Sequence, residues 1–385
     1  MFGLPTIWGG QPRERERERR GESDTARGGL TSFPSSLPSS SLRSDPMSKC
    51  FSFTSFRDRL YRLTFTNAGL RQATTVLHGG STTVQWWVPR SPDPSKQSLL
   101  LLHGFGANAT WQWSDHLRPL LGRFNVYVPD LLFFGGSSTS YTDRSESFQA
   151  ECVAASMDRL GISRPASLVG ISYGGFVGYR LAAAHPDAID RVVLCCAGVS
   201  VDQADLGKEG LFVVSDVEEA GEILVPQTPD RLRQLMRLSF VRPPAAVPSC
   251  FLSDFIDVMC TEYVEEKKGL IRELIRDRKF SELPKITQVL PLRGVRSVEK
   301  KSIGTSYVKI FYSMQKTLIV WGEQDQIFPL ELGHRLNRHL EENSRLVVIK
   351  NAGHAVNLEK PKEFCKHLKA FLANEPLKDH TNKAE

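Results

Sequence analysis

A single serine held between glycines constrains this 385-residue chain more than any other feature. In Ala166-Ser167-Leu168-Val169-Gly170-Ile171-Ser172-Tyr173-Gly174-Gly175 a short apolar run stops at Gly170. A helical pattern then begins with Phe176, Val177, Tyr179, Leu181 and Ala182. One hydroxyl therefore stands between strand and helix, with a glycine two residues to either side. A turn this tight, with a nucleophile exposed at its tip, needs strained backbone, and side chains at the flanking positions would collide. The helix that follows turns its N-terminal amides towards Ser172 and favours an anion there. A chance G-x-S-x-G is the plain alternative. The strand before it and the helix after it favour a nucleophile.

Around this serine the chain alternates strand and helix. Gln72–Leu77 and Thr82–Val88, joined by His78-Gly79-Gly80-Ser81, read as a hairpin. Ser98–Leu102 reads as a fully buried strand running into His103-Gly104-Phe105-Gly106. Glycines at such a strand end let the backbone approach a ligand and aim N–H groups at it. The Phe105 amide is expected to face the Tyr173 amide across an oxyanion. His103, inside this turn, reads as a structural histidine rather than a base. A helix at Trp111–Leu121 and a strand at Asn125–Pro129 follow, with Asp130 as a turn-stabilising acid. Trp111, Trp113, Phe133 and Phe134 read equally as walls of an apolar pocket or as core. A helix over Ser145–Leu160 precedes the serine, and a strand over Arg191–Ala197 follows its helix. Short connections between alternating elements imply a parallel sheet covered on both faces.

The alternation breaks between about Ser200 and Gln288, where Pro229–Leu238, Phe251–Tyr263 and Glu265–Asp277 read as charge-rich helices. An insertion at the carboxyl edge of a sheet tends to cover the site, so this one reads as a cap. The sheet resumes at Lys316–Trp321, followed by a helix at Leu330–Leu340, a strand at Arg345–Ile349 and a helix at Pro361–Ala373. The expected organisation is an N-terminal extension over 1–46, a core in two parts over 47–199 and 316–375, a cap over 200–315 and a tail over 376–385.

Residues 1–46 cannot bury enough apolar surface to fold: Arg13 to Arg20 is an Arg-Glu repeat and a Ser/Pro-rich tract follows. Met47 is the expected working start. Phe51 to Leu70 mixes aromatics with Arg57, Arg59 and Arg62, and reads as a helix packed on the body of the protein, with peripheral membrane contact as the alternative. A formal charge of +6, without a basic stripe interleaved with aromatics, argues against nucleic acid as a partner. No apolar run is long enough to span a bilayer. Seven cysteines without a C-x-x-C pair read as buried free thiols in a reducing compartment. A cytoplasmic location follows, or a chloroplast one if 1–46 is a transit segment.

Three functional groups fall at the carboxyl ends of three strands, in the order Ser172, Asp325, His354. A serine hydroxyl needs a base to remove its proton; a neutral imidazole does so near neutral pH, and a carboxylate fixes its tautomer. Gly104, Gly170 and Gly174 are the expected supports, alongside His103. Neither a metal nor an organic cofactor is required. The combination of H-G-F-G, P-D-L-x-x-F-G-x-S, G-I-S-Y-G-G, W-G-E-Q-D and N-A-G-H, over residues from about 70 to 373, resembles the α/β-hydrolase superfamily. Within it the chain is similar to the capped branch of monoacylglycerol-lipase-like esterases, meta-cleavage product hydrolases and epoxide hydrolases, soluble plant members in particular.

The resemblance implies an α/β fold, a mostly parallel sheet flanked by helices with an inserted helical cap. It makes Ser172 the nucleophile, His354 the base, Asp325 its partner, and the Phe105 and Tyr173 amides the oxyanion hole. The implied substrate is a small-molecule carboxylic ester. Serine at 172 argues against epoxide hydrolases, which carry aspartate there, and Ala355 after the base weakens the carbon–carbon reading, where tryptophan is usual. A ligand receptor on the same scaffold is the rival from another class. A second departure is Val289 to Gln315, an extra stretch expected to be a retained intervening sequence.

Overall fold

In this computed structural model the structure describes residues 52–207, 216–244, 246–289 and 312–373. The readings of 1–46, of Met47 and of the tail lie outside those residues. Helix α1 (Phe53–Asn67) leads into an antiparallel pair, β1 (Leu70–Leu77) and β2 (Thr82–Pro89). Strand β3 (Gln97–Leu102), α2 (Ala109–Leu121), β4 (Phe124–Pro129), the short β5 (Ser138–Thr139) and α3 (Glu146–Arg159) come next. Strand β6 (Ala166–Ile171), α4 (Tyr173–Ala184) and β7 (Ile189–Cys195) complete the first part. The expected strand through Ala197 stops at Cys195, because Cys196 turns to a positive φ of 46°.

Four helices are inserted after β7: α5 (Val217–Leu224), α6 (Pro229–Ser239), α7 (Ser249–Met259) and α8 (Val264–Ile275). The helix expected through Tyr263 ends at Met259. Tyr263 takes a left-handed φ of 53° just ahead of α8 and breaks the run in two. A separate two-stranded sheet, β8 (Thr287–Val289) and β9 (Tyr312–Met314), follows. The main sheet then resumes with β10 (Lys316–Gly322), α9 (Leu330–Leu340), β11 (Ser344–Ile349), α10 (Val356–Glu359) and α11 (Pro361–Leu372).

The main sheet runs β1-β2-β4-β3-β6-β7-β10-β11, with β5 paired to β2. From β4 to β11 every pairing is parallel. Parallel strands are covered on both faces, which is why Leu99 to Leu102, Leu168, Val169, Val192 to Leu194 and Leu318 to Val320 are all buried. One face packs on Trp113, Leu117 and Leu120 of α2 and on Phe364 and Leu368 of α11. Strands β3, β4, β6, β7, β10 and β11 thus deliver their carboxyl ends to the same edge of the sheet.

The extra stretch leaves and returns at one point. Strands β8 and β9 pair antiparallel, Thr287 opposite Met314, and the Gln315 N–H donates to the Ile286 carbonyl at 3.1 Å. Strand β10 starts from the same place whatever length lies between. The middle of the expected intervening sequence, 290–311, lies outside the described residues.

Candidate active site

Ser172 sits between β6 and α4 with φ 51° and ψ −122°, a conformation that L residues rarely adopt. Its N–H donates to the Cys195 carbonyl at 2.9 Å, which anchors the turn to β7. The flanking glycines are required by contact. A Cβ on Gly170 would stand 2.5 Å from the Gly174 carbonyl, and one on Gly174 would stand 2.5 Å from the carbonyls of Leu102 and His103. On the other side of the cleft, a Cβ on Gly104 would meet the Ser172 Cβ at 2.8 Å. The loop after β3 therefore lies directly against the serine.

Gln112 of α2 shapes that loop. Its Oε1 accepts from the Gly104 N–H at 2.9 Å, and its Nε2 donates to the Phe105 carbonyl at 3.1 Å. The Phe105 and Tyr173 rings stack edge-on at 5.1 Å, so the two residues expected to supply oxyanion amides are neighbours. Tyr173 opens α4, and an N–H in the first helical turn has no carbonyl one turn behind it to bond.

The Ser172 hydroxyl lies 3.0 Å from His354 Nε2, and His354 Nδ1 lies 2.9 Å from Asp325 Oδ2. A carboxylate accepts, so Nδ1 carries the proton and Nε2 faces the hydroxyl as an acceptor. The other oxygen of Asp325 accepts from the Ile327 and Phe328 N–H groups at 2.8 and 2.9 Å, which locks the carboxylate in place. Asp325 is buried, whereas the His354 side chain keeps 12 % of its surface exposed towards the cleft. Three side chains from the ends of β6, β10 and β11 thus form one relay.

His103 has a different environment. It is fully buried, its Nδ1–H donates to the Gly104 carbonyl at 2.8 Å, and its Nε2 accepts from the Leu131 N–H at 2.9 Å. Burial pushes its pKa down to about 4, so the ring is a neutral bracket between two loops. Asp130 accepts from the Ala109 N–H at 2.8 Å, at the start of α2, and burial pushes its carboxyl up to about 6. Among the described residues, Cys196, Asp325 and His354 bring three ligand-type atoms within 4.8 Å of one another. Burial raises the Cys196 thiol well above its usual range, and the other two are already bonded to each other, so this set does not suit a cation.

A cavity of ≈ 70 Å³ opens over Ser172 and His354. Phe105, Trp111 and Ile171 line it from the sheet side; Leu224, Leu235, Ser239 and Phe240 close it from the inserted helices. Of the four aromatics proposed for a pocket or for the core, Trp111 lines the cavity. Trp113 and Phe133 are buried elsewhere, and Phe134 backs the Phe105 ring at 5.2 Å.

The profile of the alpha/beta hydrolase family matches residues 99–367. The chain belongs to that family. Among its relatives, this hydrolase is 25 % identical to monoacylglycerol lipase ABHD6 of Bos taurus over 295 residues, 75 % of this chain and 79 % of that one. It is 28 % identical to the pimeloyl-[acyl-carrier protein] methyl ester esterase of Neisseria meningitidis serogroup C over 283 residues, 73 % of this chain and 93 % of that one. A solved 2-hydroxy-6-oxo-6-phenylhexa-2,4-dienoate hydrolase from Rhodococcus superposes with a TM-score of 0.57 at 20 % identity, covering 79 % of this chain and 99 % of that one. At that identity the likeness is one of fold.

Three features of the hydrolase escaped sequence reasoning. Gln112 carries no signal, since its neighbours in space come from another loop. Asp58 of α1 accepts from the Trp111 indole N–H and the Asn108 amide, both at 3.0 Å, so the N-terminal helix holds a wall of the cavity. The third is Glu359, beside His354 in the sequence but without a motif to mark it. Among the described residues no helix is long and apolar enough to cross a membrane. The described cysteines form no disulfide; Cys250 is exposed, contrary to the expectation of buried thiols.

Proposed function

We propose that this hydrolase cleaves carboxylic esters through an acyl-enzyme on Ser172. The observation that carries the reading is the unbroken relay from Asp325 through His354 to Ser172 beneath an apolar cavity. Both relatives named above act on esters, which supports the same reaction class here. His354 takes the Ser172 proton as the hydroxyl attacks the ester carbonyl, and Asp325 steadies the imidazolium. The Phe105 and Tyr173 amides hold the oxyanion, each worth about 3 kcal/mol of barrier. The tetrahedral intermediate collapses as His354 protonates the leaving alcohol; water then enters, activated by the same imidazole, and frees the acid. The inserted helices act as a cap. The cavity they enclose suits a short acyl group, and a long acyl chain requires them to shift.

Contact with a phospholipid surface fits the outer face of α1. Phe53, Phe56, Leu60 and Leu63 are exposed along one stripe, and Phe251 of α7 joins it edge-on to Phe53 at 5.8 Å. At about 100° per residue, Arg57 and Arg59 flank the stripe at about 80° to either side. The acid of α1, Asp58, faces inward to Trp111. An apolar stripe between arginines complements an anionic bilayer surface.

The deciding experiment is hydrolysis of p-nitrophenyl esters from acetate to laurate by the wild type and by Ser172→Ala. Turnover by the wild type, lost by about 10⁴-fold or more in the variant with the fold intact, is expected. A folded wild type that turns over none of them would replace this reading with the carbon–carbon hydrolase or the receptor.

A further inference from the structure

Both peptide N–H groups that flank His354 are bound from outside its own loop. The Gly353 N–H donates to Glu359 Oε2 at 2.6 Å, and the Ala355 N–H donates to the Ser239 carbonyl at 2.9 Å. Ser239 ends α6, and both it and Phe240 face the cavity. The second oxygen of Glu359 holds the cap chain just beyond: Oε1 accepts from the Val241 N–H at 3.0 Å and the Arg242 N–H at 3.4 Å. One carboxylate therefore takes the loop of the base with one oxygen and the segment joining α6 to α7 with the other.

The two backbones it joins have no slack between them. A Cβ on Gly353 would stand 2.7 Å from the Ser239 carbonyl. Glu359 is itself fixed, because its N–H closes the single turn of α10 onto the Ala355 carbonyl at 2.9 Å. Among the described residues no lysine or arginine is recorded in an ion pair with it, so the anion serves backbone donors, which an ionised acceptor binds more strongly than a neutral one. Ser239, which lines the cavity, is thus in direct contact with the residues on either side of His354.

We propose that Glu359 is a positioning residue that couples the cap to the catalytic base, so that His354 is aligned with Ser172 only while the end of α6 is seated. The proposal rests on the roles assigned above to Ser172 and His354. Glu359→Gln keeps the shape but puts an NH₂ group against one of the two sets of N–H donors. Glu359→Asp keeps the charge but is too short to reach both sets.

The test measures two things on each variant. Hydrogen–deuterium exchange of the peptide covering residues 351–358 reports the clamp without any substrate. The kinetics of p-nitrophenyl acetate hydrolysis, with the pH profile of kcat/KM, report the base. In Glu359→Gln, exchange in that peptide is expected to rise about tenfold while the rest of the chain keeps its protection. kcat should fall about tenfold with KM within twofold, and the acid limb of the profile should move. Glu359→Asp should follow in the same direction, and it carries the test if the Gln variant does not fold. Exchange and kcat both equal to wild type would overturn the proposal. So would a loss of activity that merely follows the unfolded fraction, with the acid limb unmoved and exchange raised throughout. A wild type inactive on esters whose Gln variant still loosens 351–358 alone would support the clamp and sink the esterase instead.

Discussion

The loops beneath the cavity and the helices above it are held by different forces. Beneath, the positions of Ser172, Gly104, Asp325 and His354 are set by backbone in contact with backbone. Glycine after glycine stands where a Cβ would fall within 3 Å of a main-chain or neighbouring atom. Above, apart from the Ser239 carbonyl seated against Gly353 and Ala355, α5 to α8 meet the rest largely through apolar side chains such as Leu232, Leu235, Leu252 and Phe255. Their outer faces carry exposed ion pairs, Arg272–Glu218 at 2.6 Å and Lys268–Glu222 at 3.2 Å. Exposed pairs of this kind are screened by solvent and add little to stability. Apolar packing tolerates exchange of one side chain for another of similar volume; a carbonyl touching a glycine does not. On the function proposed above, the chemistry sits on the intolerant surface and the choice of substrate on the tolerant one.

The sharpest way to break this contrast is one substitution to alanine on each side. Gly174→Ala places a Cβ 2.5 Å from two carbonyls of β3 and its loop, neither of which can turn away. The expected outcome is a loss of more than about 3 kcal/mol, read as a failure to fold or a much lower urea midpoint, with activity down at least 100-fold in whatever folds. Leu235→Ala, in the cap, removes more atoms yet should cost only about 2 kcal/mol, because its side chain already borders a cavity. Its activity on short esters should stay within about threefold, while the preferred acyl chain lengthens. Equal damage from the two would show that the cap is as exacting as the loops.

That asymmetry also explains what was legible in the sequence. Residues whose position follows from local geometry announced themselves: the glycines around Ser172, the buried strands, and the strand ends bearing Asp325 and His354. His103 and His354 make the point together. Both stand beside a glycine at a strand end, but His103 precedes its glycine and has both nitrogens taken up by backbone, whereas His354 follows its own and shows one nitrogen to the cleft. Residues that act across the chain left no trace. Gln112, Asp58 and Glu359 each hold atoms from another element, and no local spacing encodes such a meeting. Helix α1 is expected to pack on the body, and its inner face does: Thr54 and Phe65 are buried. Its outer stripe was legible only as a mixture of aromatics and arginines.

A second prediction concerns the buried acid that ties the sheet to α2. With its carboxyl raised to about 6 against an ordinary 3.8, folded Asp130 keeps a proton that the unfolded chain has released. Its contribution is therefore full below about pH 4 and is lost as pH rises through 6. Asp130→Asn has no such titration. At about 1.4 kcal/mol per pH unit, the wild type should lose about 3 kcal/mol relative to the variant between about pH 4 and pH 6, measured by urea unfolding across that range. His103, lowered to about 4, drives stability the opposite way over an overlapping window, and the comparison with Asp130→Asn subtracts it. A difference between the two proteins that does not vary with pH would mean that Asp130 is ionised throughout.

The smallest expected effect on the chemistry comes from a surface outside the cavity, and that is its value. Phe56 and Leu60 lie on the exposed stripe of α1, while Asp58 and Tyr61 on the inner side hold Trp111, by its indole N–H and by an edge-on ring contact at 5.1 Å. Changing Phe56 and Leu60 together to aspartate removes apolar surface and sets two negative charges between Arg57 and Arg59. Binding to phosphatidylglycerol vesicles, followed by sedimentation, should drop about tenfold or more, since burying each such side chain contributes about 2 kcal/mol. Hydrolysis of p-nitrophenyl acetate in solution should stay within about twofold, because neither side chain reaches the cavity. If the wild type ignores the vesicles and instead sediments as a dimer that the double variant abolishes, the stripe joins two copies of the chain. If the double variant binds vesicles as well as the wild type does, the stripe is an ordinary exposed face and α1 serves the enzyme only through its inner side.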